Sequence, residues 1–219
     1  PVVAGEETTL PATMEQMIYH GTAARRGATR ALVVVDLPFL SYQVSIPEAI
    51  RNAGTILKKT GAAAVKLECG ARWAPTIEAL VSAGIPTMGH LGFTPQAVHQ
   101  LGGFRVQGRD PAGAEQLMTD AAALEHAGAF AVVLELIPAP LAARISGSLS
   151  IPTIGIGAGA GCDGQVLVLH DMLGLNENFS PKFLKRYAEL GQAARDAVTQ
   201  FAEDVRAGLY PGPEHSRED

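Results

Sequence analysis

Ala62-Ala63-Ala64-Val65-Lys66-Leu67-Glu68-Cys69-Gly70 is a run of small and β-branched residues, suited to a buried parallel strand, that ends in an ammonium and a carboxylate. Side chains alternate faces along a strand, so Lys66 and Glu68 point the same way, and Cys69-Gly70 breaks the strand just beyond them. Two readings follow from this segment alone. The charges either line the mouth of a barrel as a functional site or form a structural ion pair over the core.

The neighbouring segments repeat the pattern. Ala31 to Asp36 is an apolar run that ends in a carboxylate and is stopped by Pro38. A helix from Pro47 to about Thr60, with Ala49, Ile50, Ala53, Ile56 and Leu57 at helical spacing, leads through Gly61 into the Lys66/Glu68 strand. Ile85 to His90 and Phe130 to Glu135 are further strands with polar ends. Phe104 to Gln107, Ile151 to Ile156 and Gln165 to Val168 complete the set. Thr13 with Gln16 forms a capping box for a first helix ending near Arg25-Arg26-Gly27, a short helix runs from Pro95 to Leu101, and Asp110-Pro111 opens a helix to about His126. Ser180-Pro181 is expected to open a long amphipathic helix, placed over 180–208 and packed on the barrel.

Strand and helix thus alternate, giving about seven strands and the pattern of a (β/α)8 TIM barrel within one domain of 219 residues. A doubly wound sheet is the alternative. In a barrel, functional residues gather at C-terminal strand ends, where Asp36, Lys66, Glu68, His90 and Glu135 all fall.

Composition narrows the function classes. With 47% hydrophobic residues the chain can bury a sizeable core, and a net charge of −5 without an extended basic cluster argues against nucleic acid as the main partner. A small molecule is the expected partner. No apolar run reaches membrane-spanning length, so no membrane partner is expected either. Two cysteines without CxxC spacing, Cys69 and Cys162, read as small fillers in a cytoplasmic protein.

Each candidate carries a chemistry and a structural alternative. Asp36 and Glu68 come from adjacent strands, and two carboxylates held together repel unless a proton or a divalent cation lies between them, for which Mg2+ is suited. A carboxylate pair bound to Lys66 and an arginine is the alternative. Burial would raise the pKa of Glu135, which follows five apolar residues, and leave it able to exchange protons near neutrality. A salt-bridged structural Glu competes with that role. His90 is either a core histidine satisfied by backbone or a site residue. The Gly155-Ile156-Gly157-Ala158-Gly159-Ala160-Gly161 run lacks the long helix and acidic residue of a dinucleotide fingerprint, and reads instead as a tight loop or a close backbone approach to ligand.

Asp36-Leu37-Pro38-Phe39, Val65-Lys66-Leu67-Glu68, Gly89-His90-Leu91-Gly92-Phe93-Thr94-Pro95-Gln96, Gly103-Phe104-Arg105-Val106-Gln107-Gly108-Arg109, Leu134-Glu135 and Cys162-Asp163-Gly164-Gln165 closely resemble the ketopantoate hydroxymethyltransferase family. The resemblance implies a (β/α)8 barrel, commonly a decameric homo-oligomer. It also implies transfer of a hydroxymethyl group from 5,10-methylenetetrahydrofolate, a folate co-substrate, to the 2-oxo acid 3-methyl-2-oxobutanoate in pantothenate and coenzyme A synthesis. Carried to this sequence, Asp36 and Glu68 belong to the Mg2+ site, Asp36, Lys66 and His90 contact substrate, and Glu135 is the proton acceptor. The chain departs from the family in two places. Cys69 stands where glycine is usual, and the family's first-strand Val-Gly-Asp-Ser motif has no match. An additional N-terminal strand is therefore expected, with Pro1-Val2-Val3-Ala4-Gly5 following it. The remaining alternatives are an inactive barrel subunit or ligand-binding module, and a metal-free aldolase with Lys66 as a Schiff-base nucleophile.

Overall fold

The computed structural model describes residues 3–217. Pro1 and Val2, the start of the segment expected to follow an extra strand, lie outside the described residues. Two compact units divide the chain, one spanning Val3–Val166 and the other beginning at Leu167.

The first unit holds six parallel strands, β1 (Val34–Asp36), β2 (Ala64–Glu68), β3 (Thr87–Gly92), β4 (Ala131–Glu135), β5 (Thr153–Ile156) and β6 (Gly164–Gln165). Their spatial order is their sequence order. A doubly wound sheet reverses direction at a switch point, so this unbroken order excludes it and makes the unit a partial (β/α)8 barrel.

Helices α1 (Met14–Gly27), α2 (Ile46–Thr60), α3 (Ala74–Ser82), α4 (Pro111–His126) and α5 (Ala139–Ser148) alternate with the strands. Their ends follow local chemistry. Thr13 and Gln16 form the reciprocal capping box of α1, and Asp110 caps α4 by accepting from the Gly113 N–H. Ser45 caps α2, which stops at Gly61 in the left-handed conformation (φ 72°) that glycine adopts without cost. One face of α2 buries Ala49, Ala53 and Ile56 against the sheet. Val35, Leu67, Leu91, Val132 and Leu134 supply the sheet side of that core, each large side chain contributing about 1.5–3 kcal/mol.

Four expectations are corrected. Phe104–Gln107 is not a strand: Gly102, Gly103 and Gly108 around it have positive φ, Phe104 packs on Phe93 at 4.7 Å, and the Gln107 N–H is spent on the Leu136 carbonyl. Six strands, not seven, are therefore present among the described residues. The expected last strand is reduced to Gly164–Gln165, with Val166 N–H bonded to Gly155 beyond it. The segment after Pro95 forms only a 3-10 turn, Pro95–Ala97, before irregular turns.

The fourth correction lies in the second unit, which contains α6 (Leu169–Met172) and α7 (Leu190–Arg206). The long helix begins at Leu190 rather than at Ser180. Tyr187 and Leu190 give their N–H groups to Met172 and Leu173, and Arg186 donates to the carbonyls of Asn176, Glu177 and Phe179. Backbone donors committed to these distant carbonyls cannot close helical turns. No helix among the described residues is long and apolar enough to cross a membrane.

Candidate active site

The parallel register pairs Asp36 with Lys66, Glu68 with His90, and Gly92 with Glu135. Residues in register share a face of a sheet, so Asp36, Lys66, Glu68, His90 and Glu135 project from four neighbouring strands onto one face. Leu67, Leu91 and Leu134 turn the other way into the helix-covered core. All five residues expected from the sequence are therefore brought together. His90 differs from expectation in depth: β3 runs on to Gly92, leaving the imidazole buried below the rim.

Lys66 Nζ lies 2.7 Å from Asp36 Oδ1 and 3.1 Å from His90 Nδ1. On the other side of the ring, His90 Nε2 faces Glu135 Oε2 at 3.1 Å. An ammonium has only donors, so Nδ1 must accept, and the imidazole is neutral with its proton on Nε2, directed at the Glu135 carboxylate. The local field agrees: burial, then the Lys66 charge, holds the His90 pKa well below its ordinary value. The ammonium, histidine and carboxylate thus form one chain across β2, β3 and β4.

Burial disfavours the Lys66 ammonium, yet Asp36, Glu68 and Glu135 together outweigh that cost and raise its pKa above the ordinary value. The carboxylates respond in the opposite sense. Burial pushes Glu68 up to about 7 despite Lys66 and the Gln96 N–H, and nearby Asp36 pushes it further. Glu135 also stands at about 7, raised by burial, drawn back by Lys66, and raised again by Glu68 and Asp36. Such a carboxyl can both take up and release a proton near neutrality.

The sequence reading missed the residues that tie these strand ends together. The Gln96 backbone N–H donates to Glu68 Oε2 at 2.6 Å, and its side-chain Nε2 donates to the Leu37 carbonyl at 2.8 Å. Gln96 Oε1 accepts from Gln43 Nε2 at 3.2 Å. The Tyr42 hydroxyl lies 2.8 Å from the Glu68 carbonyl oxygen and 3.0 Å from Gln96 Oε1. Gln96 stands in the quoted Thr94-Pro95-Gln96 motif, but Tyr42 and Gln43 lie in a loop without a pattern. These groups border a cleft of about 360 Å³ that Glu68, Arg72 and Trp73 also line.

No group of three or more His, Cys, Asp and Glu side chains forms a metal cluster among the described residues. Mg2+ asks for less, since it retains several waters and is held by one or two carboxylates. Asp36 Oδ1 is paired with the Lys66 ammonium at 2.7 Å, and Glu68 feels the Asp36 charge. Two hard, mutually repelling carboxylates of this kind fit a hydrated divalent cation.

Cys69 is buried and free, and burial pushes its thiol up to about 12, which makes it a filler and not a nucleophile. Cys162 is also free. The glycine run after β5 packs against α5. A Cβ on Gly159 would come within 2.3 Å of that of Ala139, and one on Gly161 within 2.7 Å of that of Ala143.

A family model described as ketopantoate hydroxymethyltransferase matches residues 1–213. The 3-methyl-2-oxobutanoate hydroxymethyltransferase of Syntrophus aciditrophicus (strain SB) is 57% identical over 215 residues, 98% of this chain and 79% of that protein. The protein of the same name from Moorella thermoacetica is 57% identical over 98% of this chain and 80% of its own length. Among solved structures, a candidate lyase/mutase from Burkholderia cenocepacia J2315 superposes with a TM-score of 0.50 at 17% identity, covering 96% of this chain and 78% of that one. A candidate phosphonomutase from the same organism gives 0.51 at 16% identity, covering 90% and 79%. These two likenesses concern the fold alone.

Proposed function

The chain belongs to the ketopantoate hydroxymethyltransferase family, and on that premise we propose that it moves a hydroxymethyl group from 5,10-methylenetetrahydrofolate to 3-methyl-2-oxobutanoate, giving 2-dehydropantoate. Glu135 removes the proton from C3 of the 2-oxo acid, and the resulting enolate carbon bonds to the one-carbon unit. Net, both C–N bonds that hold the methylene bridge to tetrahydrofolate break, its nitrogens take up the protons released by C3 and water, and water supplies the hydroxyl oxygen. Lys66 holds the negative charge of the substrate in a charge-assisted contact worth about 1.5–3 kcal/mol. His90 aims its Nε2–H at Glu135 and keeps that carboxylate oriented. Asp36 and Glu68 would hold Mg2+, which supplies Lewis-acid polarisation of the 2-oxo group.

The observation that carries the reading is Glu135 itself, with a pKa of about 7, 3.1 Å from a neutral imidazole. The Schiff-base reading of Lys66 is disfavoured by the same network, because an amine paired with Asp36 stays protonated and cannot attack a carbonyl. The family resemblance further supports a cytoplasmic homo-oligomer, which light scattering of the purified protein checks for assembly.

Hydrogen–deuterium exchange at C3 of 3-methyl-2-oxobutanoate tests the proposal without the folate. The protein should catalyse exchange, and Glu135→Gln should lower the rate by about 10²–10⁴-fold. Full exchange by Glu135→Gln would remove Glu135 from the base role.

A further inference from the structure

We infer that Gln96, with Tyr42, is a positioning clamp that fixes the two acidic strand ends of β1 and β2 relative to each other. The inference rests on the reading that Asp36 and Glu68 together hold a divalent cation.

Gln96 bonds to both strand ends. The Gln96 side-chain amide donates to the carbonyl of Leu37, the residue that follows Asp36, at 2.8 Å. Its backbone N–H holds Glu68 Oε2 at 2.6 Å. Tyr42 lies within hydrogen-bond distance of both the Glu68 carbonyl and Gln96 Oε1, sharing its one proton between them. Gln96 is therefore bonded to the main chain after one carboxylate and to the side chain of the other. The regular ladder offers no substitute, because β1 ends at Asp36 and pairs with β2 only as far as Lys66. The Leu37 N–H does reach the Lys66 carbonyl, but Glu68 lies beyond that last bond.

A side-chain amide with a donor and an acceptor is what this position needs. Its acceptor is met by Tyr42 and Gln43 and one of its two N–H donors by Leu37, which fixes which way the amide faces. The Lys66 ammonium pairs with Asp36 and only partly offsets the repulsion between the two carboxylates. The clamp holds them in place before any ligand arrives, which lowers the ordering cost of binding a cation between them.

The test uses Gln96→Met, which keeps the length and loses the side-chain hydrogen bonds, and Tyr42→Phe, which keeps the ring packed on Trp73 at 5.8 Å. Asn52→Ala is the control, because Asn52 Nδ2 bonds the Ser41 carbonyl in the same loop without touching either acidic strand end. Mg2+ affinity is measured by calorimetry on each purified protein, alongside KM and kcat for C3 exchange. Gln96→Met should weaken Mg2+ by about 10–100-fold, as loss of an outer support around a metal does. KM should rise while kcat for exchange holds, and Asn52→Ala should leave Mg2+ affinity unchanged. Tyr42→Phe should weaken binding in the same direction, and the double variant should lose less than the sum of the two. Unchanged Mg2+ affinity in Gln96→Met and Tyr42→Phe, or an equal loss in Asn52→Ala, overturns the clamp. If Gln96→Met does not fold, Tyr42→Phe against the control decides alone. Failure of the underlying reading is distinguishable, since the unmodified protein would then bind no Mg2+ at all, and that outcome overturns both.

Discussion

Lys66 Nζ sits 3.1 Å from His90 Nδ1, and this contact fixes the state of the imidazole. The ammonium can only donate, so the ring accepts at Nδ1 and offers its single proton at Nε2 to Glu135.

His90 is accordingly expected to stay neutral, in the Nε2–H form, from about pH 8 down to about pH 6, where an unperturbed histidine would be largely protonated. Nitrogen-15 chemical shifts of the ring measure this directly. Titration with a midpoint near 6.5, the ordinary value, would mean that Lys66 does not face Nδ1 in solution. Lys66→Met, which removes the ammonium, should move the midpoint upward.

C3 exchange should follow the ionisation of Glu135. A base works only as the carboxylate, so the exchange rate should rise with pH through a midpoint near 7. A rate that is flat between about pH 5 and 8 would assign proton removal to a group with an ordinary carboxylate pKa.

The raised pKa also has a cost in stability. Glu135 moves from 4.5 to about 7 on folding, so the folded chain binds more protons than the unfolded one across that interval. Stability from this group is therefore complete below pH 4.5 and is lost as pH rises through about 7. Glu135→Gln removes the buried charge and should stabilise the protein by on the order of 2–3 kcal/mol at pH 8, with the gain shrinking toward pH 5. Denaturant unfolding at the two pH values reads the difference, and a loss of stability in the variant at pH 8 would contradict it.

Gly92 is irreplaceable for a local reason. Its φ is +92°, and a Cβ there would meet the Glu135 carbonyl oxygen at 2.1 Å and Ile137 Cγ2 at 2.7 Å. Gly92→Ala should cost more than about 2 kcal/mol and displace the Glu135 end of β4. Gly103 has a similar φ of +96° but nothing within 4 Å, so Gly103→Ala should cost only the backbone strain of about 1–2 kcal/mol. Equal losses in thermal unfolding would show that the clash at Gly92 is relieved by backbone movement.

Cation binding should be visible without turnover. Mg2+ at a hundredfold excess over its Kd is expected to stabilise the folded protein by about 2.7 kcal/mol, and Asp36→Asn should abolish most of that gain. Excess chelator should return the melting point to its starting value while leaving the far-ultraviolet circular dichroism unchanged, because neither Asp36 nor Glu68 is part of the core between helices and sheet.

The sequence by itself determined the order and kind of the main elements and the residues at the ends of the strands. Those features depend on neighbours: alternation puts Lys66 and Glu68 on one face, Thr13 and Gln16 cap their own helix, and Gly61 ends α2 because it can be left-handed. Helix and strand periods record only which face a residue takes. They do not record which distant group it meets. Only the tertiary structure decided that Gln96 would reach the Leu37 carbonyl 59 positions away, and that Tyr42 would reach the Glu68 carbonyl 26 positions away. It also decided that His90 would lie between Lys66 and Glu135, because the parallel register of β2, β3 and β4 carries the imidazole there. The same cause explains the segments read differently from sequence. Phe104–Gln107 and the chain before Leu190 carry the right residues for a strand and a helix, but the Gln107 and Tyr187 N–H groups are claimed by the distant carbonyls of Leu136 and Met172, and a donor used there cannot also build a ladder or a turn.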